Sequence, residues 1–206
     1  MIEFRVLLPC LLALTTSLLA GCVSQRSQVE TRYFLLEPPS SQVADAVDAA
    51  HTCGLRIALG PVAIAEYLDQ PRIVTRRSDN ELVLHEYARW AMPLARNISE
   101  VLRETLRRQL PGCATSSYPA LAAEPFDVRV ALEVLRLDGI RGESVELVAI
   151  WQVFGADGKV LAERGGRAEL RGVPAGTDIA DRVRAQAVLL AQLAARISAK
   201  LDGIAR

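Results

Sequence analysis

Phe126-Asp-Val-Arg-Val-Ala-Leu-Glu-Val134 decides the fold. Phe126, Val128, Val130, Leu132 and Val134 alternate with Asp127, Arg129, Ala131 and Glu133. Successive side chains on a strand point to opposite faces, so this is a half-buried strand. The next stretch, Ser144 to Phe154, is apolar on both faces at Val148-Ala-Ile-Trp151, which predicts a strand at the centre of the sheet. Gly155-Ala-Asp-Gly158 turns it into Lys159 to Arg171, where Gly165-Gly166 marks a bulge or bend. The three form a meander.

After the meander, Thr177-Asp178 offers a cap, and Ile179, Val183, Ala187, Leu190, Ala194, Ile197 and Leu201 recur three and four residues apart before Gly203. That period is helical. The narrow seam can pack on the chain's own sheet or against a second subunit of a homo-oligomer.

Before the meander, Pro93 opens another helix, with Leu94, Ile98, Val101, Leu102, Thr105 and Leu106 facing a core. Glu100, Arg103, Glu104, Arg107 and Arg108 lie on its other face at supportive spacings, and Pro111-Gly112 stops it. Further upstream, Arg72 to Arg76 and Glu81 to Tyr87 flank Arg77-Ser-Asp-Asn80, which predicts a hairpin. Leu55 to Val62 is a strand interrupted by Gly60-Pro61, and Tyr33-Phe-Leu-Leu36 is a short one ending at Pro38-Pro39. The fold class is therefore α+β. Residues 33–206 form a single domain in which a mixed or antiparallel sheet of about six to seven strands carries two main amphipathic helices.

The first residues have a different logic. Met1-Ile-Glu-Phe-Arg5 is followed by an apolar run over 6–20 and by Leu19-Ala-Gly-Cys22. The run falls short of the roughly 18 to 20 apolar residues that span a bilayer, so 1–21 reads as a secretory signal. The small residues before Cys22 make the join a lipobox, with acyl chains carried on the Cys22 thiol after cleavage. Each buried methylene contributes about 0.8 kcal/mol, so two or more chains anchor stably where one does not. Residues 22–32 are polar beyond the lipidated cysteine and read as a tether reaching roughly 30 Å. Val23, and not aspartate, follows the cysteine, which implies the outer membrane under the common sorting rule.

Twenty-four basic and 24 acidic side chains balance. With no basic surplus to neutralise phosphates, nucleic-acid binding is not expected. Of four cysteines, Cys10 leaves with the signal and Cys22 takes lipid, so Cys53 and Cys113 remain for a disulfide in an oxidising compartment. The alternative is two buried or free thiols.

No constellation points to catalysis or to a cofactor. His51 and His85 have no second metal-type ligand at helical or hairpin spacing. Gly142-Glu-Ser144-Val-Glu146 lacks the closing glycine of a nucleophile elbow, and no phosphate-binding glycine loop occurs. Glu143 and Glu146 read as a solvated edge that discourages aggregation, and Asn97-Ile-Ser99 as a chance glycosylation triplet inside a helix. An enzyme is not expected.

Tyr33 to Leu110 carries a resemblance. Tyr33-Phe-Leu-Leu36, Gly60-Pro61-Val62, Tyr67-Leu-Asp-Gln-Pro71-Arg-Ile-Val-Thr-Arg76, Arg89-Trp90-Ala91 and Pro93-Leu94 resemble the PqiC/YmbA family, the auxiliary lipoproteins of ABC-type lipid transport that accompany MCE-domain proteins. The specific part is Tyr-Leu-Asp-x-Pro-x-Ile-Val-x-Arg. Met92 departs from the acidic residue expected there, and the C-terminal half agrees only in its plan of strands followed by a helix. The resemblance implies a non-enzymatic subunit that docks an MCE-domain protein at the outer membrane, with ATP hydrolysis left to another subunit. Tyr67, Leu68, Pro71, Arg72 and Arg76 are the candidate partner contacts, although a turn packed on its own sheet explains Tyr67 and Leu68 equally well. Two rivals remain. A lipid or small-ligand carrier would need an apolar cavity between helices and sheet, and a pilotin-like assembly factor would serve another envelope complex.

Overall fold

The structure is a computed structural model, and it describes residues 30–40, 53–119, 125–140 and 143–204. The signal segment, Cys22, most of the tether and His51 lie outside the described residues. Thr31 to Arg206 forms one compact unit.

In chain order the elements are β1 (Arg32–Phe34), β2 (Arg56–Ile64), β3 (Arg72–Ser78), β4 (Glu81–Trp90), α1 (Leu94–Gln109), β5 (Ala114–Ser117), β6 (Val128–Asp138), β7 (Val145–Gly155), β8 (Gly166–Gly172) and α2 (Ile179–Asp202). The fold class is α+β, as expected. The strands do not make one sheet, however. They divide into a small sheet ordered β1-β4-β3 and a large one ordered β5-β2-β6-β7-β8. The β3–β4 hairpin and the β6–β7–β8 meander are antiparallel, while β1 joins β4, and β2 joins β5 and β6, in parallel. The sheets meet where Arg76 of β3 bridges Ile140, just beyond β6.

The alternation along β6 acts as its sequence requires. Val130 pairs with Val153, Leu132 with Trp151 and Val134 with Ala149, all buried on one face. A register shift between Val134 and Arg136 lets Leu137 return to that face opposite Leu147. Ile98, Leu102 and Leu106 of α1 and Leu190, Leu193 and Ile197 of α2 pack into the same core, each contributing about 1.5–3 kcal/mol by its burial. The seam of α2 is thereby occupied: Val183, Ala187, Leu190, Ala194, Ile197 and Leu201 are buried within the chain's own core. Asp178 caps this helix, its carboxylate accepting from the Ile179 amide at 2.7 Å.

Two glycines are fixed by crowding. Gly60 has φ +133°, and a Cβ there would come within 2.1 Å of the Tyr118 carbonyl oxygen, so the Gly60-Pro61 step makes a bulge in β2 and does not end it. Gly166 opens β8 against the Trp151 ring, where a Cβ would lie 2.5 Å from a ring carbon. The bend read at Gly165-Gly166 is therefore the start of β8, preceded by a short 3-10 turn over Ala162–Arg164.

Candidate functional site

The segment with the most specific sequence pattern, Tyr67 to Arg76, crosses from the large sheet into the small one. Leu68 is 3% exposed and belongs to the core. Tyr67 and Arg76 converge on Asp138, the last residue of β6, which is fully buried. The Tyr67 hydroxyl donates to Asp138 Oδ2 at 2.6 Å, and Arg76 Nε donates to Oδ1 at 2.7 Å. Arg136 Nε adds a third donor at 3.1 Å and reaches on to Glu146 at 2.8 Å. Arg171 closes the far side of Glu146. Burying a carboxylate is costly unless every lone pair is met, and here two guanidiniums and a phenol meet them.

This cluster has electrostatic consequences. Burial pushes the Tyr67 phenol up to about 12, and its bond to Asp138 adds to the rise. The Asp138 carboxylate raises the pKa of Arg76 above its ordinary value. Arg76 also donates to the Asp79 carbonyl at 2.7 Å, which ties the hairpin turn to the same point. Tyr67 and Arg76 therefore spend their polar groups on the chain itself.

Pro71 and Arg72 remain at the surface. The Pro71 carbonyl accepts from the Trp90 amide at 2.8 Å, which joins the two halves of the pattern. Around this joint lies a depression of about 320 Å³ lined by Asp69, Gln70, Pro71, Trp90, Met92, Pro93 and Leu94. Met92, the residue that departs from the expected acid, supplies part of its apolar wall. Arg72 pairs with Glu86 at 3.4 Å, and Arg89 shares that carboxylate at 3.4 Å.

Besides Asp138, three further buried polar residues escaped the reading of the sequence. Arg182 of α2 is 2% exposed and donates to the carbonyls of Gly139, Ile140 and Ser144 at 3.0–3.2 Å. Gln186, one turn on, donates to the Leu137 carbonyl at 2.8 Å. Asn97 of the Asn-Ile-Ser triplet is buried and exchanges two hydrogen bonds with the Leu36 backbone, at 2.7 and 3.0 Å. A polar residue inside an apolar helical stripe was the one signal available for each.

Cys53 and Cys113 form a disulfide with Cα atoms 4.8 Å apart. It sits where β2 and β5 pair, since Arg56 lies opposite Ala114. The other chemistry-bearing residues stay apart. His85 Nε2 lies 2.9 Å from Thr75 Oγ1, Glu143 is exposed, and Glu146 belongs to the arginine cluster. Among the described residues no group of three metal-type ligands occurs, and no helix is long and apolar enough to cross a membrane.

What these residues define is a two-sheet α+β domain whose most distinctive sequence pattern is woven into its own frame. Residues 33–198 match the family described as ABC-type transport auxiliary lipoprotein component, and the chain belongs to that family. Among curated proteins none is significantly similar. Of solved structures, an uncharacterized protein is 20% identical, with a TM-score of 0.67 over 84% of this chain and 99% of that one. Protein XCC0632 from Xanthomonas campestris is 17% identical, with a TM-score of 0.61 over the same shares. At these identities the likeness establishes a shared fold. Membership in a lipoprotein family implies association with the cell envelope.

Proposed function

We propose that this chain is a non-enzymatic subunit of an MCE/ABC-type intermembrane lipid transport system. Acyl chains on Cys22 hold it at the periplasmic face of the outer membrane, where it docks the MCE-domain protein and supports envelope integrity. The observation that carries this reading is the family match over 33–198, preceded by Leu19-Ala-Gly-Cys22 and a polar tether. Val23 favours the outer membrane over the inner. Pro71, Arg72 and the depression beside them are the docking candidates, because the rest of the motif is engaged within the domain.

A carrier would need room between helices and sheet. That space is filled by Ile98, Leu102, Leu106, Leu190, Leu193 and Ile197, all at most 0% exposed. The larger depression, about 700 Å³, opens at the surface beside Pro38, Pro39, Val173 and Val188. The packing therefore favours docking over carriage.

Affinity purification of the full chain from detergent-solubilised membranes tests the reading. Recovery of an MCE-domain protein, weakened by Arg72→Glu, is the expected result. Recovery of a secretin or an unrelated barrel in its place, with no MCE-domain protein, defeats it.

A further inference from the structure

We propose that the β1 edge of the small sheet is a membrane-contact face, on which Tyr33, Leu35 and Tyr87 lie in the headgroup layer of the leaflet that holds the anchor. The inference rests on acylation of Cys22. Register places Tyr33 opposite Arg89 and Arg89 opposite Arg72, so these three share one face of the sheet, away from the buried Ala88 and Trp90. Tyr87 comes just before the β1–β4 pairing and Leu35 just after it, at the two ends of this edge. Tyr33 is 65% exposed and Tyr87 50%, and Leu35 stands out as well. A tyrosine offers an apolar ring and a polar tip, which suits the boundary between acyl chains and water. Because Arg72 already takes the Glu86 carboxylate, Arg89 next to Tyr33 leaves a positive surplus at this edge, and lipid phosphates supply the complementary charge.

The length of the tether names the occupant. Tyr33 follows Cys22 by eleven residues, which caps its distance from the lipid at roughly 36 Å even with the chain fully extended. Arg32 is fixed to Asp178 by paired bonds of 3.0 and 3.1 Å, so the domain is tied at this edge. Because β1 runs parallel to β4 with Arg32 opposite Ala88, the chain enters β1 from the Tyr87 side. The opposite end of the domain carries Val160, which is also exposed and bridges Phe154 beside Arg129. The length of β6 separates that end from the small sheet by roughly 30 Å.

Photocrosslinking in growing cells tests this face. In the full chain, p-benzoylphenylalanine replaces Tyr33, Tyr87 or, as the remote control, Val160. Alkylation of free thiols checks that each variant keeps its disulfide, and a position that fails this check is exchanged for Leu35. Mass spectrometry of the purified chain reads both the crosslinked adducts and the modification of Cys22. Phospholipid adducts severalfold more abundant at Tyr33 and Tyr87 than at Val160 are expected. Lipid adducts no higher than at Val160, or adducts to protein alone, overturn the face while an acylated Cys22 leaves the anchoring intact. An unmodified Cys22 overturns both.

Discussion

The two ends of the large sheet are closed by different chemistry. At the start of β2 and β6, a covalent bond between Cys53 and Cys113 staples the parallel pair β2–β5. At the end of β6, no covalent bond is present. Asp138 instead gathers Tyr67, Arg76 and Arg136, while Arg182 of α2 donates to the Gly139, Ile140 and Ser144 carbonyls between β6 and β7. The disulfide acts mainly by limiting the unfolded chain, so its effect does not depend on how well its neighbours pack. The ionic cluster exists only in the folded state and is worth keeping only while it is complete. The covalent end tolerates local change, whereas the ionic end, where the sheets meet and the tether arrives, tolerates little.

The largest test of that contrast is Asp138→Ala. It strips two guanidiniums and a phenol of a common buried acceptor, and removing one partner from such a cluster costs up to about 5 kcal/mol. Urea denaturation of the purified domain reads this as a lower midpoint. A loss below about 1 kcal/mol would show that water reaches the cluster and that packing holds the sheets together.

Next comes the covalent end. Replacing Cys53 and Cys113 together by serine reopens a loop with a sequence separation of 60, which lowers stability by about 4 kcal/mol in the chain-entropy model. Because the two sites lie at opposite ends of β6, their effects should add when Asp138→Ala is combined with the double serine variant. A clear departure from additivity, measured by the same titration, breaks the picture of two independent ends.

How much of this was legible in the sequence follows from the same division. Strand β6 and both helices showed themselves because each buries one face, and burial of one face writes a period into the chain, while β7 showed as an apolar run and the hairpin through its turn residues. The cysteine pair was legible as a candidate because only two cysteines remain after the signal and the anchor are set aside. The split into two sheets was not legible, since parallel partners such as β1 and β4 are distant in sequence and leave no local mark. β5 was missed for a related reason. Ala114-Thr-Ser-Ser117 has no alternation and is a strand only because β2 offers its free edge. Asp138 was the hardest, because an acid ending an alternating strand looks solvated. Three donors, two of them from another strand and its connection, bury it. The pattern Tyr67 to Arg76 was recognised as distinctive, and the structure divides it into an inward part, Tyr67, Leu68 and Arg76, and an outward part, Pro71 and Arg72.

The smallest effect distinguishes the ends by pH. Beside the disulfide, Asp127 accepts from Arg56 through its amide at 2.8 Å and through its guanidinium at 2.7 Å. The Arg56 bonds pull this carboxyl down to about 2, against about 4 for an unperturbed aspartate. On α1, bonds from Arg107 and Arg108 pull Glu104 to about 2 as well. A carboxyl whose folded pKa is depressed is more readily protonated in the unfolded chain, so its stabilisation is present above about pH 4 and lost as pH falls towards 2. Both pairs are open to solvent and screened, so the loss should be slight and should shrink further in high salt. Asp127→Asn should therefore flatten the acid limb of the stability curve by lowering its neutral plateau slightly while leaving the value near pH 2 unchanged, and the fall is small because the amide oxygen can still accept from the Arg56 backbone. If the curves of the parent and Asp127→Asn superimpose between pH 4 and 2, the Arg56 pair contributes nothing, and the disulfide alone secures that end.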